Sequence, residues 1–462
     1  MIRSSLSEIS NAIGGSLIKG DAMVERVVTD SRASCDGGLF VALKGPHFDA
    51  HNFLPQVVEQ GVEGIVVEQE SMLDIPQIIV KDSRRALGAI AKFNREKLGA
   101  KIISVTGSSG KTTVKEMIAS ILQKKGKVLA TRGNFNNEIG APITLLEMDE
   151  THDFGVIELG ANHAGEIAYT ASIAQPHVAM INNVAAAHLE GFGDLYGVAR
   201  AKGEIYGELS PEGFAVVNLD DDFAEYWLKN IYSNVITYSR EKEADVTASN
   251  IVMNEEQCAQ FELGYRGETQ QVTLSLAGEH NVLNALAAAS CVLALGGSLK
   301  DIAIGLAQSP VVSGRLMTEY LENGCRIIDD TYNANLDSMK AAIKFLSAFK
   351  GRRVLVIGDM AELGELGRDY HEEIGLFAKE QGIDVLYSCG VLTRFSQSAF
   401  SGEGQHFSHQ IKLIEELKKE AKENVTILVK GSRSAHMENV ISALMDDSDK
   451  QTGVIASSQG EQ

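Results

Sequence analysis

The sequence has few cysteines, and no two of them lie close together. The five, Cys35, Cys258, Cys291, Cys325 and Cys389, are scattered through 462 residues without a CxxC pair. A disulfide framework or a zinc site needs cysteines that come together in sets, so this odd and scattered number argues against both. We therefore expect a protein of a reducing compartment.

Long apolar runs are also absent from the sequence, and none approaches the length that spans a bilayer. The N-terminus lacks the apolar core of a signal peptide. Instead, Leu6, Ile9 and Ile13 recur at helical spacing before Gly14 and Gly15, which predicts a short helix. By elimination we expect a cytoplasmic protein that does not insert into a membrane.

Basic residues are outnumbered by acidic ones. The chain has 42 Lys and Arg against 62 Asp and Glu, a formal net charge of −20. Such a surface repels nucleic acid, so we expect no nucleic-acid partner. A phosphate ligand would have to be held locally, by helix ends, by Lys or Arg side chains and by metal ions.

The chain is too long for one ordinary core, and its patterning divides it into three blocks. We place these at residues 1–97, 98–312 and 313–462, with a disordered polar tail from about residue 446. Apolar strands alternate with helices, which predicts an α/β fold with a central mononucleotide-binding domain. The third block has the pattern of a doubly wound, Rossmann-like unit, whose ligand crevice lies at the carboxyl ends of its strands.

The most specific motif is the stretch KIISVTGSSGKTTVKEM, residues 101–117. A β-branched strand, a small-residue turn and a helix in that order aim backbone N–H groups at one phosphate. The full P-loop pattern has glycine where Val105 stands, so an ordinary turn remains an alternative. We predict that Lys111 binds phosphate and that the Thr112 hydroxyl faces a magnesium ion. The predicted loop comprises Gly107, Ser108, Ser109, Gly110, Lys111, Thr112 and Thr113.

Further polar residues are candidates for ligand contacts, each with a structural alternative. Ser31 and Arg32 could meet a phosphate or a sugar, or form a solvated turn, and the two interpretations are about even. Glu158, at the end of an apolar strand, could hold magnesium or cap a helix. Three amides beside glycines could bind a polar ligand or make turns; they belong to Asn134, Asn136 and Asn137.

Later in the chain, a lone histidine, His188, follows another strand, and such residues are more often structural than ligands. Lys202 lies on a predicted helix, where a lysine is usually a solvated charge. Asn281 and Asn284 begin an Ala- and Leu-rich helix and suit hydrogen bonds to a purine edge or a domain contact. At one strand-to-helix junction, a carboxylate would meet a cation and free N–H groups; its residues are Lys430, Ser432 and Arg433.

Taken together, these residues resemble the Mur ligase family along nearly the whole chain. The family carries the short loop TGxxGKTT, which accounts for Val105. The stretches that match in order and spacing are NFNNEIG, ELGANHAGEI, NNVAAAHLEGFG, AKGEI, GEHNVLNALAA, DDTYNAN, GDMAELGE and KGSRSAHME. ELGANHAGEI, GDMAELGE and KGSRS favour the branch that adds D-alanyl-D-alanine, and the DNPR-like motif of the diaminopimelate-adding sister is missing.

The resemblance implies an ATP-dependent amide ligase of three domains: one for the UDP end of its substrate, a central ATPase and a Rossmann-like domain that closes over the site. ATP would phosphorylate the terminal carboxylate of UDP-MurNAc-tripeptide, and the amine of D-Ala-D-Ala would attack the acyl phosphate. We expect these ligands, Mg²⁺ at two sites and a monomer. A folylpolyglutamate synthetase-type ligase and a non-enzymatic nucleotide switch are the rival interpretations.

The resemblance also assigns roles to individual residues around the phosphates. Lys202 matches a lysine that is carbamylated and helps to hold the second magnesium ion. Thr112, Glu158 and His188 match the other metal ligands. The residues expected to act in catalysis are Lys111, His188, Lys202 and Arg315, of which Arg315 faces the phosphates.

Contacts to the rest of the substrates follow the same resemblance. Asn281 and Asn284 match asparagines on the adenine side, and Asp330 lies where the family contacts the nucleotide. Ser31 and Arg32 match a motif on the UDP side. From their position alone, we assign the D-Ala-D-Ala carboxylate to Lys430, Ser432 and Arg433.

Overall fold

A computed structural model describes residues 1–186 and 189–446 of the chain. Within them the strands form sheets of five, nine and six strands, together with one small two-stranded sheet. Helices pack between and over the large sheets, which confirms the predicted α/β class. His188 and the tail beyond residue 446 lie outside the described residues.

The first block is an α/β unit of short elements. Its strands are β1 (Ser4–Ser5), β2 (Ser16–Ile18), β3 (Met23–Val24), β4 (Val27–Val28), β5 (Leu39–Val41), β6 (Gly64–Val67) and β7 (Gln77–Ile79). Its helices are α1 (Leu6–Ile13), α2 (Leu54–Glu59) and α3 (Ser83–Glu96), with a 3₁₀ turn at Ala50–Phe53. The five-stranded sheet has the order β2-β7-β6-β5-β4, and β1 pairs with β3.

The predicted N-terminal helix is confirmed as α1. Ser5 and Glu8 form a capping box at its start, since each side chain accepts a hydrogen bond from the other's backbone N–H. Gly14 ends the helix with a φ of 66°, in the left-handed region that glycine adopts without strain. Leu6 and Ile9 are buried in the core beneath it.

The second block carries a mixed sheet of nine strands. Its strands are β8 (Lys101–Thr106), β9 (Val128–Ala130), β10 (Phe154–Glu158), β11 (Val178–Ile181), β12 (Phe214–Asn218), β13 (Asn234–Ser239), β14 (Val246–Met253), β15 (Cys258–Tyr265) and β16 (Glu268–Ala277). Its helices are α4 (Lys111–Leu122), α5 (Gly140–Leu146), α6 (Glu166–Ala174), α7 (Leu189–Phe192), α8 (Leu195–Gly207), α9 (Ala224–Leu228), α10 (His280–Ala294) and α11 (Leu299–Ala307).

Strand order in this sheet brings the predicted site residues together. The order is β16-β15-β14-β13-β12-β11-β8-β10-β9, and β11, β8 and β10 are neighbouring parallel strands. The carboxyl ends of parallel strands meet at one edge, where ligands of open α/β sheets bind. The phosphate loop after β8 therefore lies between Glu158, which ends β10, and Asn182, which follows β11.

The third block is the doubly wound unit that the sequence predicts. Its strands are β17 (Met317–Tyr320), β18 (Arg326–Asp330), β19 (Arg352–Gly358), β20 (Val385–Cys389), β21 (Glu403–Phe407) and β22 (Val425–Lys430), in the order β17-β18-β22-β19-β20-β21. Its helices are α12 (Leu336–Ser347), α13 (Gly367–Glu380), α14 (Thr393–Phe400), α15 (Gln410–Glu420) and a last helix at residues 438–446. Short 3₁₀ turns lie at Gly364–Leu366 and Arg433–Ala435.

Helix α3 joins the first block firmly to the second. The buried Asn94 side chain donates hydrogen bonds to the carbonyl oxygens of Leu145 and Met148, and Arg95 donates to the carbonyl oxygen of Ala174. Apolar residues of α3 also share a continuous core with α5 and α6. The predicted boundary at residue 97 remains a prediction, and the two blocks are packed together across it.

Candidate active site

The phosphate loop is a sharp turn of four residues, 107–110, between β8 and α4. Gly110 precedes the helix with a φ of 76°. A side chain there would meet Asn182 Nδ2 at 2.4 Å and Asn284 Oδ1 at 2.7 Å. Both the backbone conformation and the lack of space therefore require glycine at this position.

Two asparagines after β11 hold the loop in shape. Asn183 accepts a hydrogen bond from Ser109 N at 2.8 Å through Oδ1, and its carbonyl oxygen accepts one from Ser108 N. Asn182 Nδ2 donates to the Ser109 carbonyl oxygen at 2.9 Å. The loop conformation thus depends on a neighbouring strand as well as on its own glycines.

Lys111 folds back over the loop, where its Nζ donates a hydrogen bond to the Gly107 carbonyl oxygen at 2.8 Å. Burial lowers the pKa of the Lys111 ammonium, the nearby Glu158 carboxylate raises it, and the Arg315 guanidinium lowers it further. An arriving phosphate would stabilise the charged form of this lysine and replace the carbonyl as its partner.

A chain of polar side chains continues from the loop to the end of β10. Thr112 Oγ1 donates to Glu158 Oε2 at 2.8 Å, and Asn136 Nδ2 donates to Glu158 Oε1 at 2.8 Å. Arg315, from the third block, donates a hydrogen bond from Nη2 to Thr112 Oγ1 at 3.0 Å, and its guanidinium carbon lies 4.4 Å from the Tyr332 ring centroid. The structure therefore brings a hydroxyl, a carboxylate and a cation together beside the phosphate loop.

Lys202 is buried on α8, with only 3% of its surface exposed. Sequence reasoning alone treats a helical lysine as a solvated charge, and here the fold places it inside. Burial lowers the pKa of its ammonium well below the usual value, and repulsion from Lys111 lowers it further. Both effects favour the neutral amine over the charged ammonium.

These residues line a single cavity of about 880 Å³ between the second and third blocks. The largest group of predicted site residues faces it: Ser108, Ser109, Gly110, Lys111, Thr113, Asn136, Asn137, Glu158, Lys202, Asn281, Asn284, Arg315, Asp330 and Lys430. Gly107 and Thr112 lie beside it in the loop and at the start of α4. Lys111, Glu158 and Lys202, which the family resemblance places around the phosphates, therefore share this cavity.

The asparagines at the start of α10 are bonded to each other and to the loop. Asn281 Nδ2 donates to the Ala277 carbonyl oxygen, and Asn284 Nδ2 donates to Asn281 Oδ1 at 2.8 Å. Asn284 Oδ1 in turn accepts from Asn182 Nδ2 at 3.0 Å. This row of amides links α10 to the phosphate loop.

Lys430 and Asp330 form a largely buried ion pair at the carboxyl edge of the third sheet. Their Nζ–Oδ2 distance is 2.7 Å, and Lys430 also donates to the Asn333 carbonyl oxygen. A pair of this kind is costly to break, because either partner alone would be a buried unpaired charge. Asp330 therefore neutralises the cation that we assign to the D-Ala-D-Ala carboxylate.

Other predicted residues do not line the cavity. Ser432 Oγ donates to the Asp359 carbonyl oxygen, and Arg433 is exposed and pairs with Glu438 at 3.4 Å. In the first block, Arg32 is exposed and pairs with Asp30. Ser31 and Asn134 do not line the cavity either, and the roles of all these residues remain predictions.

The structure identifies supporting residues that sequence reasoning missed. Lys115 is 1% exposed, and its Nζ donates to the Thr131 carbonyl oxygen at 2.5 Å and pairs with Glu116. Thr131 Oγ1 accepts a hydrogen bond from Glu158 N at 3.0 Å. Lys115 follows Lys111 by one helical turn, a spacing that could have drawn attention to it. The asparagine pair after β11 also follows an apolar strand, as Glu158 does.

Residues 1–186 and 189–446 contain neither a preformed cluster of metal ligands nor a candidate membrane-spanning helix. No group of three His, Cys, Asp or Glu side chains is arranged to hold a metal ion. No helix in these ranges has the length and apolar character required to cross a membrane.

The phosphate loop follows a parallel strand of the second domain, and the third domain covers it. This arrangement defines a nucleotide-binding enzyme of the P-loop class. The chain belongs to the Mur ligase family, and within it to the UDP-N-acetylmuramoyl-tripeptide–D-alanyl-D-alanine ligases. Residues 105–292 match the Mur ligase middle domain, and residues 314–433 match the Mur ligase, glutamate ligase domain.

Individual relatives match nearly the full chain. The UDP-N-acetylmuramoyl-tripeptide–D-alanyl-D-alanine ligase of Escherichia coli K12 is 45% identical over 97% of this chain and 99% of its own. MurF from Acinetobacter baumannii has a similar structure, with a TM-score of 0.90 and 39% identity over 95% of this chain and 98% of its own. MurF of Thermotoga maritima in complex with ADP has a TM-score of 0.84 and 29% identity over 92% and 98%.

Proposed function

We propose that this protein is an ATP-dependent ligase that joins D-alanyl-D-alanine to UDP-N-acetylmuramoyl-tripeptide in the synthesis of peptidoglycan precursors. The observation that carries the proposal is the 45% identity to a ligase of that name over 97% of the chain. A structural relative that binds ADP supports the use of ATP. The reaction forms an acyl phosphate from the tripeptide carboxylate, which the amine of D-Ala-D-Ala attacks with loss of phosphate.

The cations beside the loop suit the first step of this reaction. A carboxylate and the ATP phosphates repel each other, and positive groups aimed at the transferred phosphoryl lower that barrier. Lys111 is the first residue of α4, and Arg315 reaches the same helix start from the third domain. Closure of the third domain would also exclude the water that hydrolyses an acyl phosphate.

The donors next to the loop fit a magnesium ion. Mg²⁺ prefers oxygen ligands such as carboxylates and hydroxyls. Glu158 and Thr112 present such oxygens side by side, and Asn136 orients the carboxylate by a hydrogen bond. We propose Thr112, Glu158 and His188 as ligands; the ion would neutralise phosphate charge. A shift of the Glu158 carboxylate signal on titration with Mg²⁺ would test this without an activity assay.

We propose that Lys202 is carbamylated and contributes to a second magnesium site. Carbamylation requires a neutral amine that attacks carbon dioxide, and burial of Lys202 lowers the pKa of its ammonium, which favours that form. The product is an anion, which suits a metal and the nearby Lys111. Incubation with ¹³C-bicarbonate should give one carbamate NMR signal that is lost in Lys202→Met; a signal unchanged in the variant contradicts the assignment.

The remaining assignments stand as proposals on the family resemblance and on position. Asn281, Asn284 and Asp330 would contact the nucleotide, because they line the cavity near the loop. On the basis of the family resemblance, we propose that the three blocks are a UDP-substrate domain (1–97), an ATP-binding domain (98–312) and a ligase domain (313–462). Ser31 and Arg32 would serve the first of these.

Contacts to the other substrates are proposed in the same way. Asn136 and Asn137 line the cavity, and we propose that they contact the tripeptide substrate, with Asn134 preceding them. Lys430, Ser432 and Arg433 would contact the D-Ala-D-Ala carboxylate. The protein would act as a monomer in the cytoplasm, where ATP and the UDP-linked precursor are available; light scattering would test the monomer.

Phosphate release in the presence of different acceptors tests the reaction. The protein is mixed with ATP, Mg²⁺ and UDP-MurNAc-tripeptide, and D-Ala-D-Ala, glutamate or no amine is added. Release and amide product that depend on D-Ala-D-Ala support the proposal. Dependence on glutamate would indicate a folylpolyglutamate-type ligase, and release without an acceptor would indicate a nucleotide switch.

A further inference from the structure

We propose that Asn335 is a positioning residue that couples closure of the third domain to the phosphate loop. Its Nδ2 donates a hydrogen bond to Ser109 Oγ at 2.9 Å, across the boundary between the second and third domains. The inference rests on the proposed ligase function and deepens it, because it states how the site is kept closed during the reaction.

Asn335 is held in place by the helix that it begins. As the N-cap of α12, its Oδ1 accepts a hydrogen bond from Ser338 N at 2.9 Å, while its own N–H donates to Ser338 Oγ. This capping box fixes the side chain, of which little is exposed. With Oδ1 engaged in the cap, the amide N–H₂ group is directed to the loop.

Ser109 is likewise fixed in place, by hydrogen bonds within the second domain. Its N–H donates to Asn183 Oδ1, and its carbonyl oxygen accepts from Asn182 Nδ2. Since its backbone is bonded within the second domain, its hydroxyl is left to meet the third. One hydrogen bond therefore joins a fixed turn to a fixed helix start.

The hydrogen bond between Asn335 and Ser109 would help to exclude water from the acyl phosphate. If the bond is lost, the third domain closes less tightly and water can reach the acyl phosphate. Water then attacks the carbonyl carbon, the bond to the phosphate oxygen breaks, and the carboxylate and inorganic phosphate are released. ATP is consumed without an amide, so the ratio of phosphate to amide product reports closure.

Two single variants remove the same bond from opposite sides. Asn335→Ser keeps a good helix cap but is too short to reach the loop, and Ser109→Ala removes the acceptor hydroxyl. A single hydrogen bond of this kind corresponds to about a 3- to 10-fold effect. We expect each variant to raise the ratio of phosphate to amide by that factor. The double variant should do no more than either, because the bond can be lost only once.

Ser338→Ala is the matched control on the same helix. It removes one half of the capping box and keeps the Asn335 contact to Ser109, so it should lower the melting temperature and leave the ratio unchanged. Wild-type ratios in both single variants, or independent effects that add in the double variant, would overturn the inference. Absence of D-Ala-D-Ala-dependent amide in the wild type would instead overturn the proposed function.

Discussion

The cavity has two walls, one formed by the second domain and one by the third. The wall of the second domain is held by hydrogen bonds within that domain, whereas the third domain contacts it through single side-chain hydrogen bonds. On the first wall, the asparagines after β11 bind three backbone groups of the phosphate loop. On the second, Arg315 reaches Thr112 and Asn335 reaches Ser109. The comparison suggests a preformed phosphate site and a movable partner that completes it. Variants on each wall should therefore fail in different ways.

The largest loss of activity is expected for Lys111, in the wall formed by the second domain. Lys111→Ala removes the cation that meets the transferred phosphoryl group, so phosphate release should fall by about 10³-fold. The fold should remain intact, because Lys111 bonds only its own loop. A phosphate-release assay and circular dichroism measure the two properties, and normal turnover would refute the assignment.

Arg315 lies on the wall formed by the third domain, and its variant tests that wall separately. Arg315→Ala removes a transition-state contact and should lower kcat by about 10²-fold. Since its bond to Thr112 crosses the domain boundary, the melting temperature without ligands should change little. Arg315→Lys is the control that keeps the charge and loses the paired N–H geometry. A large loss of thermal stability would show that the arginine holds the walls together.

Asn183 should give the opposite pattern. Asn183→Ala removes the side-chain acceptor of Ser109 N and leaves a part-buried donor unpaired, at a cost of about 1–3 kcal/mol. We expect a lower free energy of unfolding together with a several-fold rise in KM for ATP. Urea denaturation and initial rates test both. Loss of kcat alone, without loss of stability, would contradict a preformed loop.

The smallest effect is expected outside both walls, at Arg32. The Arg32 guanidinium, through its hydrogen bonds, lowers the pKa of Asp30 from 3.8 to about 2. In Arg32→Ala the Asp30 pKa should rise towards its usual value, which NMR titration would detect. If Arg32 serves the UDP end of the substrate, KM for that substrate should rise a few-fold while KM for ATP is unchanged.

Several elements follow from local sequence patterns. The strand, turn and helix around residues 101–117 and the capped helix α1 were predictable, because their residues act over a few positions. The alternation of strands and helices also predicted the α/β class. Burial of Lys202 was not predictable from its helix, since it depends on the strands beneath α8.

The ion pair between Lys430 and Asp330 shows the same limit. Each residue ends a strand, and from the sequence each was a separate ligand contact. They meet because β18 and β22 are parallel neighbours, although 100 residues separate them in the chain. Pairing of distant strands converts two independent candidates into one neutralised unit.

By itself, the sequence determined the α/β class, the phosphate loop and the family, because these depend on periodicity and on contiguous motifs. The tertiary structure decided which polar groups share a cavity, which cations are already paired and which asparagines bind the loop. These are properties of residues far apart in the chain, and burial and pairing arise only when strand order brings them to one edge of the sheet.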